Sequence, residues 1–280
     1  MKPARFDLHR AATLDDAVGL LREHGDEARV LAGGQSLVPM LALRLARFAH
    51  LVDVNDIAEL SGIGRTGPDT MRVGAMTRQR AAEQHPEVHA GVPLLARALP
   101  HIGHFPIRNR GTIGGSLAHA DPASELPAVA LALDAVLITS SRSIAAADFF
   151  VGTWTTALAD DELLTAIEFP VWPEPVRTAV HEVSRRAGDF ALAGCAIQVA
   201  HAGNGTRGFA RCGIALFGVG DTPIRAVDAE RALLEGAPSD EIAGLAAGAT
   251  DPADDIHATA AQRRHIVATV VRRAIEEVAR

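Results

Sequence analysis

A chain of 280 residues with 27 Lys+Arg against 34 Asp+Glu carries a formal net charge of -7, which argues against a nucleic-acid surface, since phosphate backbones are held by clustered cations. No apolar run reaches the roughly 20 residues a membrane helix needs. Met1-Lys2-Pro3-Ala4-Arg5 leads into polar sequence without a signal-type apolar core, so a soluble, cytoplasmic protein is expected.

The length accommodates two domains with separate cores or a single large one. Thr13-Leu14-Asp15-Asp16 is a helix-start signal, with Asp16 three residues after the capping Thr13. Ala17, Val18 and Leu21 supply the apolar stripe, and Gly25 ends the helix. Residues 29–32 then form a short strand that runs into Ala32-Gly33-Gly34-Gln35-Ser36. Ser36 or Leu37 opens a short helix with Pro39 in a tolerated early position, and residues 51–54 form the next strand. This predicts a β-α-β subdomain over about the first 57 residues. It lacks a G-x-G-x-x-G fingerprint, which disfavours an ordinary dinucleotide fold.

A second region is expected to hold a strand at 70–74, a helix at 93–99, a helix at 122–133 and strands at 135–139 and 164–169. Between the two helices lies Thr112-Ile113-Gly114-Gly115-Ser116-Leu117-Ala118-His119-Ala120-Asp121-Pro122. Pro170, Pro173 and Pro175 mark a boundary. Beyond it, strands at 195–199 and 212–216 flank Asn204-Gly205, a favoured hairpin turn. Ile266, Val267, Val270, Val271, Ile275 and Val278 fall on one side of a long final helix.

Paired glycines let main-chain amides approach an anion without a Cβ in the way. In the first doublet the amides of Gly34, Gln35 and Ser36 would face the anion, aided by the Ser36 hydroxyl and the helix N-terminal partial charge. The competing reading is a tight strand-to-helix turn. In the second, Thr112 and Ser116 offer hydroxyls to phosphate, Gly114 and Gly115 give close backbone approach, and Asp121 and Glu125 can accept from ribose or ribityl hydroxyls. Asp121 could equally cap a helix with Pro122 in first position. His119 is either a ligand contact or a structural hydrogen-bonder, and Arg108 and Arg110 either neutralise a diphosphate or form internal ion pairs. Two cradles on one chain suggest one long ligand with a diphosphate in its middle.

The two cysteines, Cys195 and Cys212, fall in expected strands and are read as buried thiols. A four-thiolate iron–sulfur cluster cannot form from two thiols. The 12 histidines contain no H-E-x-x-H or Cys/His array, so no metal site is expected, nor any catalytic side chain.

Residues 102–127, in which Ile107-Arg108-Asn109-Arg110-Gly111 leads into the second doublet, closely resemble the flavoprotein (medium) subunit of the molybdenum hydroxylases. That family includes the carbon monoxide and xanthine dehydrogenases. The resemblance covers essentially the whole chain. It implies an α+β architecture: a two-subdomain FAD-binding fold of the vanillyl-alcohol-oxidase/PCMH type over residues 1–57 and 58–172. A C-terminal flavoprotein domain with a small antiparallel sheet and a helical bundle would follow over residues 176–280. It also implies noncovalent FAD, its diphosphate clamped between Ala32, Gly33, Gly34, Gln35 and Ser36 on one side and Thr112, Gly114, Gly115 and Ser116 on the other. Ile102 would lie against the cofactor, Leu164 near its ring system, and Phe190 over the isoalloxazine. Glu125 stands where the family usually has aspartate, and Glu182 where some members carry lysine.

The function so implied is an electron relay. Molybdopterin and 2Fe–2S clusters would reside only in partners, a large molybdopterin subunit and a small iron–sulfur subunit, assembled as a dimer of heterotrimers. The rival is a stand-alone FAD-dependent oxidase or dehydrogenase, disfavoured by the length and by the absence of any tyrosine or covalent-flavin motif.

Overall fold

The computed structural model describes residues 2–172, 175–202 and 208–280; the expected Asn204-Gly205 turn and Pro173 lie outside them. Strand β1 (Asp7–Arg10) leads to helix α1 (Leu14–His24), which opens on a reciprocal cap: the Thr13 hydroxyl accepts from the Asp16 amide and the Asp16 carboxylate from the Thr13 amide. Strands β2 (Ala28–Leu31) and β3 (His50–Asp53) fall within a residue or so of expectation. All three are parallel, in the order β1-β3-β2. The sequence reading omitted β1. Its Asp-Leu-His-Arg run lies at a sheet edge with most side chains exposed, so no apolar alternation betrays it. Ala17 and Leu21 of α1 pack with Val52 of β3 and with Ala11, Ile57 and Leu60 to form a small core.

The second region is built on strands β4 (Ile63–Gly67), β5 (Thr70–Gly74), β6 (Val136–Thr139) and β7 (Ser143–Ala145). A two-stranded ribbon, β8 (Phe150–Gly152) and β9 (Thr155–Thr156), precedes β10 (Leu164–Pro170). The five-stranded antiparallel sheet has the order β4-β5-β10-β6-β7. Short helices α3 (Gln79–Gln84), α4 (Pro86–Gly91), α5 (Pro93–Ala98), α6 (Phe105–Arg110) and α7 (Ile113–His119) follow β5. Helix α8 (Glu125–Ala132) comes next, and α9 (Ala146–Phe149) follows β7. Every residue of α8 is buried, as an all-apolar helix with one carboxylate must be. It starts at Glu125, three residues later than the expected 122. Asp121 does not cap it: its Oδ1 accepts from the Ala123 amide at 2.9 Å in a local turn, and Ser124 takes the N-cap position.

Beyond the prolines, strands β11 (Val176–Ser184), β12 (Ala191–His201), β13 (Phe209–Phe217) and β14 (Ile224–Arg225) form an antiparallel sheet in sequence order. Both faces are buried. Cys195, Ile197 and Val199 meet α10 (Val227–Leu234), α11 (Ser239–Gly248) and α12 (Ala260–Val278), while Ala196, Ala200, Ala215 and Phe217 join the core that holds α8. Both cysteines are free and buried, and burial pushes their thiols up to about 12.

Gly213 marks how closely the C-terminal sheet approaches α8, because a Cβ there would stand 2.0 Å from the Ala132 carbonyl oxygen. Gly213→Ala is expected to destabilise the chain by at least about 1–3 kcal/mol, the usual cost of overpacking a core. Gly244→Ala, in α11 with open space around it, is expected to gain up to about 1 kcal/mol from helix propensity. Urea midpoints for the two variants should move in opposite directions.

Candidate cofactor cleft

At the C-terminal ends of β2 and β3, a cleft of about 410 Å³ opens between the first glycine turn, Asp53 at the end of β3 with Asn55 beyond it, and Arg110. Gly34 turns the chain with φ +72°, and α2 (Leu37–Ala42) begins immediately after Ser36. Ser36 stands at the N-cap but makes no side-chain cap. Among the described residues, the amides of Gly33, Gly34, Gln35 and Ser36 donate to no protein acceptor. A run of four free N–H groups beside an arginine is an anion cradle.

The second doublet is spent differently. The Ile113 amide donates to the Thr77 carbonyl at 3.0 Å, Gly114 to Ala75 at 2.8 Å, Gly115 to Thr112 Oγ1 at 3.0 Å and Ser116 to the Thr112 carbonyl at 3.2 Å. Gly114 is required for packing, since a Cβ would fall 2.4 Å from that of Ala75. Gly115 lies over Ala32, whose Cβ would be 3.3 Å from a Cβ at that position. The two doublets therefore meet, but they are not equivalent cradles. The first presents free amides, and the second braces it while offering the Thr112 and Ser116 hydroxyls. Thr112 is buried at the N-cap of α7, and the Ser116 hydroxyl shares a hydrogen bond with that of Ser124 at 3.1 Å.

Gly33 closes the clamp: its Cβ position lies 2.4 Å from the Arg110 carbonyl oxygen and 2.8 Å from Gly111 Cα. Asn55 and Arg78 hold this geometry. Asn55 Nδ2 donates to the Ala32 carbonyl at 2.9 Å, and Asn55 Oδ1 accepts from Arg78 Nη2 at 2.8 Å. Arg78 Nη1 in turn reaches the Arg110 carbonyl at 2.5 Å. Burial and then the neighbouring Arg110 charge lower the pKa of Arg78, while Asp53 opposes them. Sequence reasoning missed both residues. The available signal for Asn55 was its position just beyond a parallel strand, where α/β folds place ligands.

Arg108 is structural, which decides between its two readings. Its guanidinium is buried and forked onto Glu83, Nε to Oε2 at 2.8 Å, while Nη1 donates to the Ile102 carbonyl at 3.0 Å. It thereby fixes the loop that carries Ile102. Arg110, by contrast, has no side-chain ion pair among the described residues and lines the cleft.

Asp121 Oδ2 accepts from Trp154 Nε1 at 3.1 Å. Half-buried His119 ends α7, and burial lowers its pKa. Leu164 is buried at the start of β10. Ile102 packs half-buried against the same core, and Gly188 lies within 3.0 Å of the Gly103 backbone, measured from its Cβ position. That contact brings the 185–190 loop to residues 102–104. Phe190, in that loop, is 58% exposed.

Glu125, His101 and Glu182 converge where the C-terminal sheet meets the second region. His101 Nδ1 lies 3.5 Å from Glu182 Oε1, and hydrogen bonding to Glu182 raises the His101 pKa. Glu182 Oε2 is buried without a partner. Burial, reinforced by the Glu182 charge, pushes Glu125 up to about 7.

Cleft and fold together define a unit with a row of free main-chain amides on one wall of a cleft, a lining that suits an anionic group. Residues 4–172 match the family model described as FAD binding domain in molybdopterin dehydrogenase, and residues 178–278 match the CO dehydrogenase flavoprotein C-terminal domain. The chain is 38% identical over 288 residues to the caffeine dehydrogenase subunit beta of Pseudomonas sp. (strain CBB1), covering 100% of this chain and 96% of that protein. It is 36% identical over 283 residues to the carbon monoxide dehydrogenase medium chain of Hydrogenophaga pseudoflava, covering 98% and 97%. A solved carbon monoxide dehydrogenase from the same organism, lacking the Mo-pyranopterin moiety of its cofactor, superposes with a TM-score of 0.94 at 36% identity over 99% of this chain and 98% of that one. The chain belongs to the FAD-binding medium subunits of the molybdenum hydroxylases and is an oxidoreductase component whose cofactor is FAD. No helix among the described residues is long and apolar enough to cross a membrane.

Proposed function

We propose that this chain is the electron relay of a molybdenum hydroxylase complex, receiving electrons from iron–sulfur clusters of a small partner subunit and passing them to an external acceptor. A large molybdopterin subunit would act on the substrate, and the whole would assemble as a dimer of heterotrimers in the cytoplasm. The observation that carries this reading is the row of free amides from Gly33 to Ser36 beside Arg110. They suit the diphosphate of FAD, and bound FAD supplies the redox chemistry.

The chain's own residues bind and orient. Gly33, Gly34, Gln35 and Ser36 take one face of the diphosphate; the Thr112 and Ser116 hydroxyls take the other. Ala32 is held in register by Asn55, and Asp121 and Glu125 are assigned to ribose and ribityl hydroxyls. Ile102, Leu164 and Phe190 are assigned to the ring system. Two buried, unpaired thiols cannot ligate a cluster and suit a reducing compartment. The relatives' names speak of substrates as different as caffeine and carbon monoxide, which favours substrate choice outside this chain.

Denaturing the purified protein should release FAD rather than FMN, leaving no flavin on the polypeptide. In anaerobic stopped-flow mixing, organic substrates should leave the flavin of the isolated chain oxidised. Adding the iron–sulfur and molybdopterin subunits should bring substrate-driven bleaching. Rapid bleaching in the chain alone would overturn the relay and favour a stand-alone oxidase.

A further inference from the structure

We propose that His9, His24 and His50 form a binding site for a divalent transition metal of the zinc and copper class. The three belong to different elements: His9 to the edge strand β1, His24 to the last position of α1, and His50 to the first position of β3. One ring nitrogen from each lies within 4.8 Å of the other two, the one such grouping of metal-binding side chains among the described residues. His9 Nε2 and His50 Nδ1 are 3.1 Å apart, and the rings of His24 and His50 stack with centroids 3.8 Å apart.

The contacts of these rings favour a cation. Among the described residues, the His9 and His50 rings hydrogen-bond only to each other, the His24 ring has no hydrogen-bond partner, and none of the three forms an ion pair with a carboxylate. In the His9–His50 hydrogen bond one half-buried ring accepts from the other, a proton that a bound metal would displace, and the His24 ring keeps a lone pair that no protein donor satisfies. A tetrahedral metal at about 2.0–2.1 Å from each nitrogen sets the nitrogens roughly 3.3 Å apart. One pair already meets that spacing, and side-chain rotation would bring in the third ligand, whose nitrogen lies within 4.8 Å of the other two. Three neutral imidazoles suit zinc, copper or nickel and exclude the hard, oxygen-seeking calcium and magnesium. The C-terminal partial charge of the 11-residue α1 adds attraction for a cation beside His24.

The site lies away from the cofactor cleft. The cleft occupies the C-terminal ends of β2 and β3, whereas His50 begins β3 and α1 runs back to deliver His24 to that same starting end. A metal there would pin α1 to both β1 and β3, with water as the fourth ligand.

The test is a titration of the FAD-loaded full-length chain, freed of chelator, with Zn2+ against a chromophoric competitor, and with Co2+ followed by its visible absorption. The expected result is one tight site per chain with a tetrahedral Co2+ spectrum. His24→Gln and His50→Gln should each weaken it beyond the roughly tenfold to hundredfold that losing even an outer-shell partner costs. His9→Gln, on the exposed edge strand, should do the same with least risk to folding. His89→Gln should change nothing, because that ring bonds the Glu83 carbonyl elsewhere on the surface. Circular dichroism and retained FAD confirm the folding of each variant. Absence of a tight site in the wild-type chain, or affinity that survives the His9 and His50 substitutions, overturns the proposal.

Discussion

Gly33→Val is expected to weaken FAD binding by roughly 100-fold or more, equivalent to about 2.7 kcal/mol, while leaving most of the fold intact. The reason is geometric. A Cβ at Gly33 meets the carbonyl oxygen of Arg110 at 2.4 Å and Gly111 Cα at 2.8 Å, both backbone atoms that cannot swing aside. The first glycine turn must then move off the loop that supports it, and the four free amides lose their alignment. Gly115→Val should act similarly, because a side chain there would strike Thr112 Oγ1 at 2.6 Å and crowd Ala32. Ser116→Ala should cost about tenfold or less, since its hydroxyl already has Ser124 as a partner. Equilibrium titration of FAD against each purified variant, with circular dichroism as the folding control, gives the comparison. Wild-type affinity in both valine variants would mean that the diphosphate binds elsewhere.

Glu125→Gln should change the pH dependence of stability more than any other single carboxylate substitution near the cleft. Burial raises the folded-state pKa of Glu125 from 4.5 to about 7. Between those values the folded chain binds a proton that the unfolded chain releases. The stability from this group is therefore fully present below pH 4.5 and is lost as pH rises through 7. The whole shift is worth on the order of 3 kcal/mol. Glutamine carries no such titration. Relative to wild type, the flavin-free Glu125→Gln chain should gain stability steadily from pH 5 to 8 and then level off. Urea denaturation across that range reads the difference directly, and parallel stability curves would refute the buried-carboxyl account. Glu125→Asp, which keeps the carboxyl on a shorter side chain, should retain FAD.

Much of this molecule was legible in its sequence because the signals were local. The cap of α1 requires only Thr13 and Asp16, the stop at Gly25 requires only that residue's φ of +54°, and the stripe from Val267 to Val278 repeats with the helical period. The glycine doublets announced themselves by composition and drew the family resemblance with them. What a doublet does with its amides was not legible. That depends on whether Thr77 and Ala75, some 40 residues away in sequence from the first doublet, come to lie above the second, and only the packing of α7 onto the five-stranded sheet settles it.

Strand β1 carries no sequence signal because edge strands need not alternate, and of the two readings of Asp121 the helix cap fails because its carboxylate serves a local turn and Trp154. Asn55, Arg78 and the histidines at 9, 24 and 50 gave no motif at all. Their spacing in the chain has no period, and their meeting is a product of the parallel order β1-β3-β2 with α1 laid back across it. Sequence alone determined the class of cofactor, through glycine motifs whose backbone freedom and side-chain chemistry are properties of single positions. Tertiary structure decided which amides remain free, which arginine faces the cleft and which carboxyl has its pKa raised by burial, since hydrogen-bond partners and burial are supplied by residues distant in the chain.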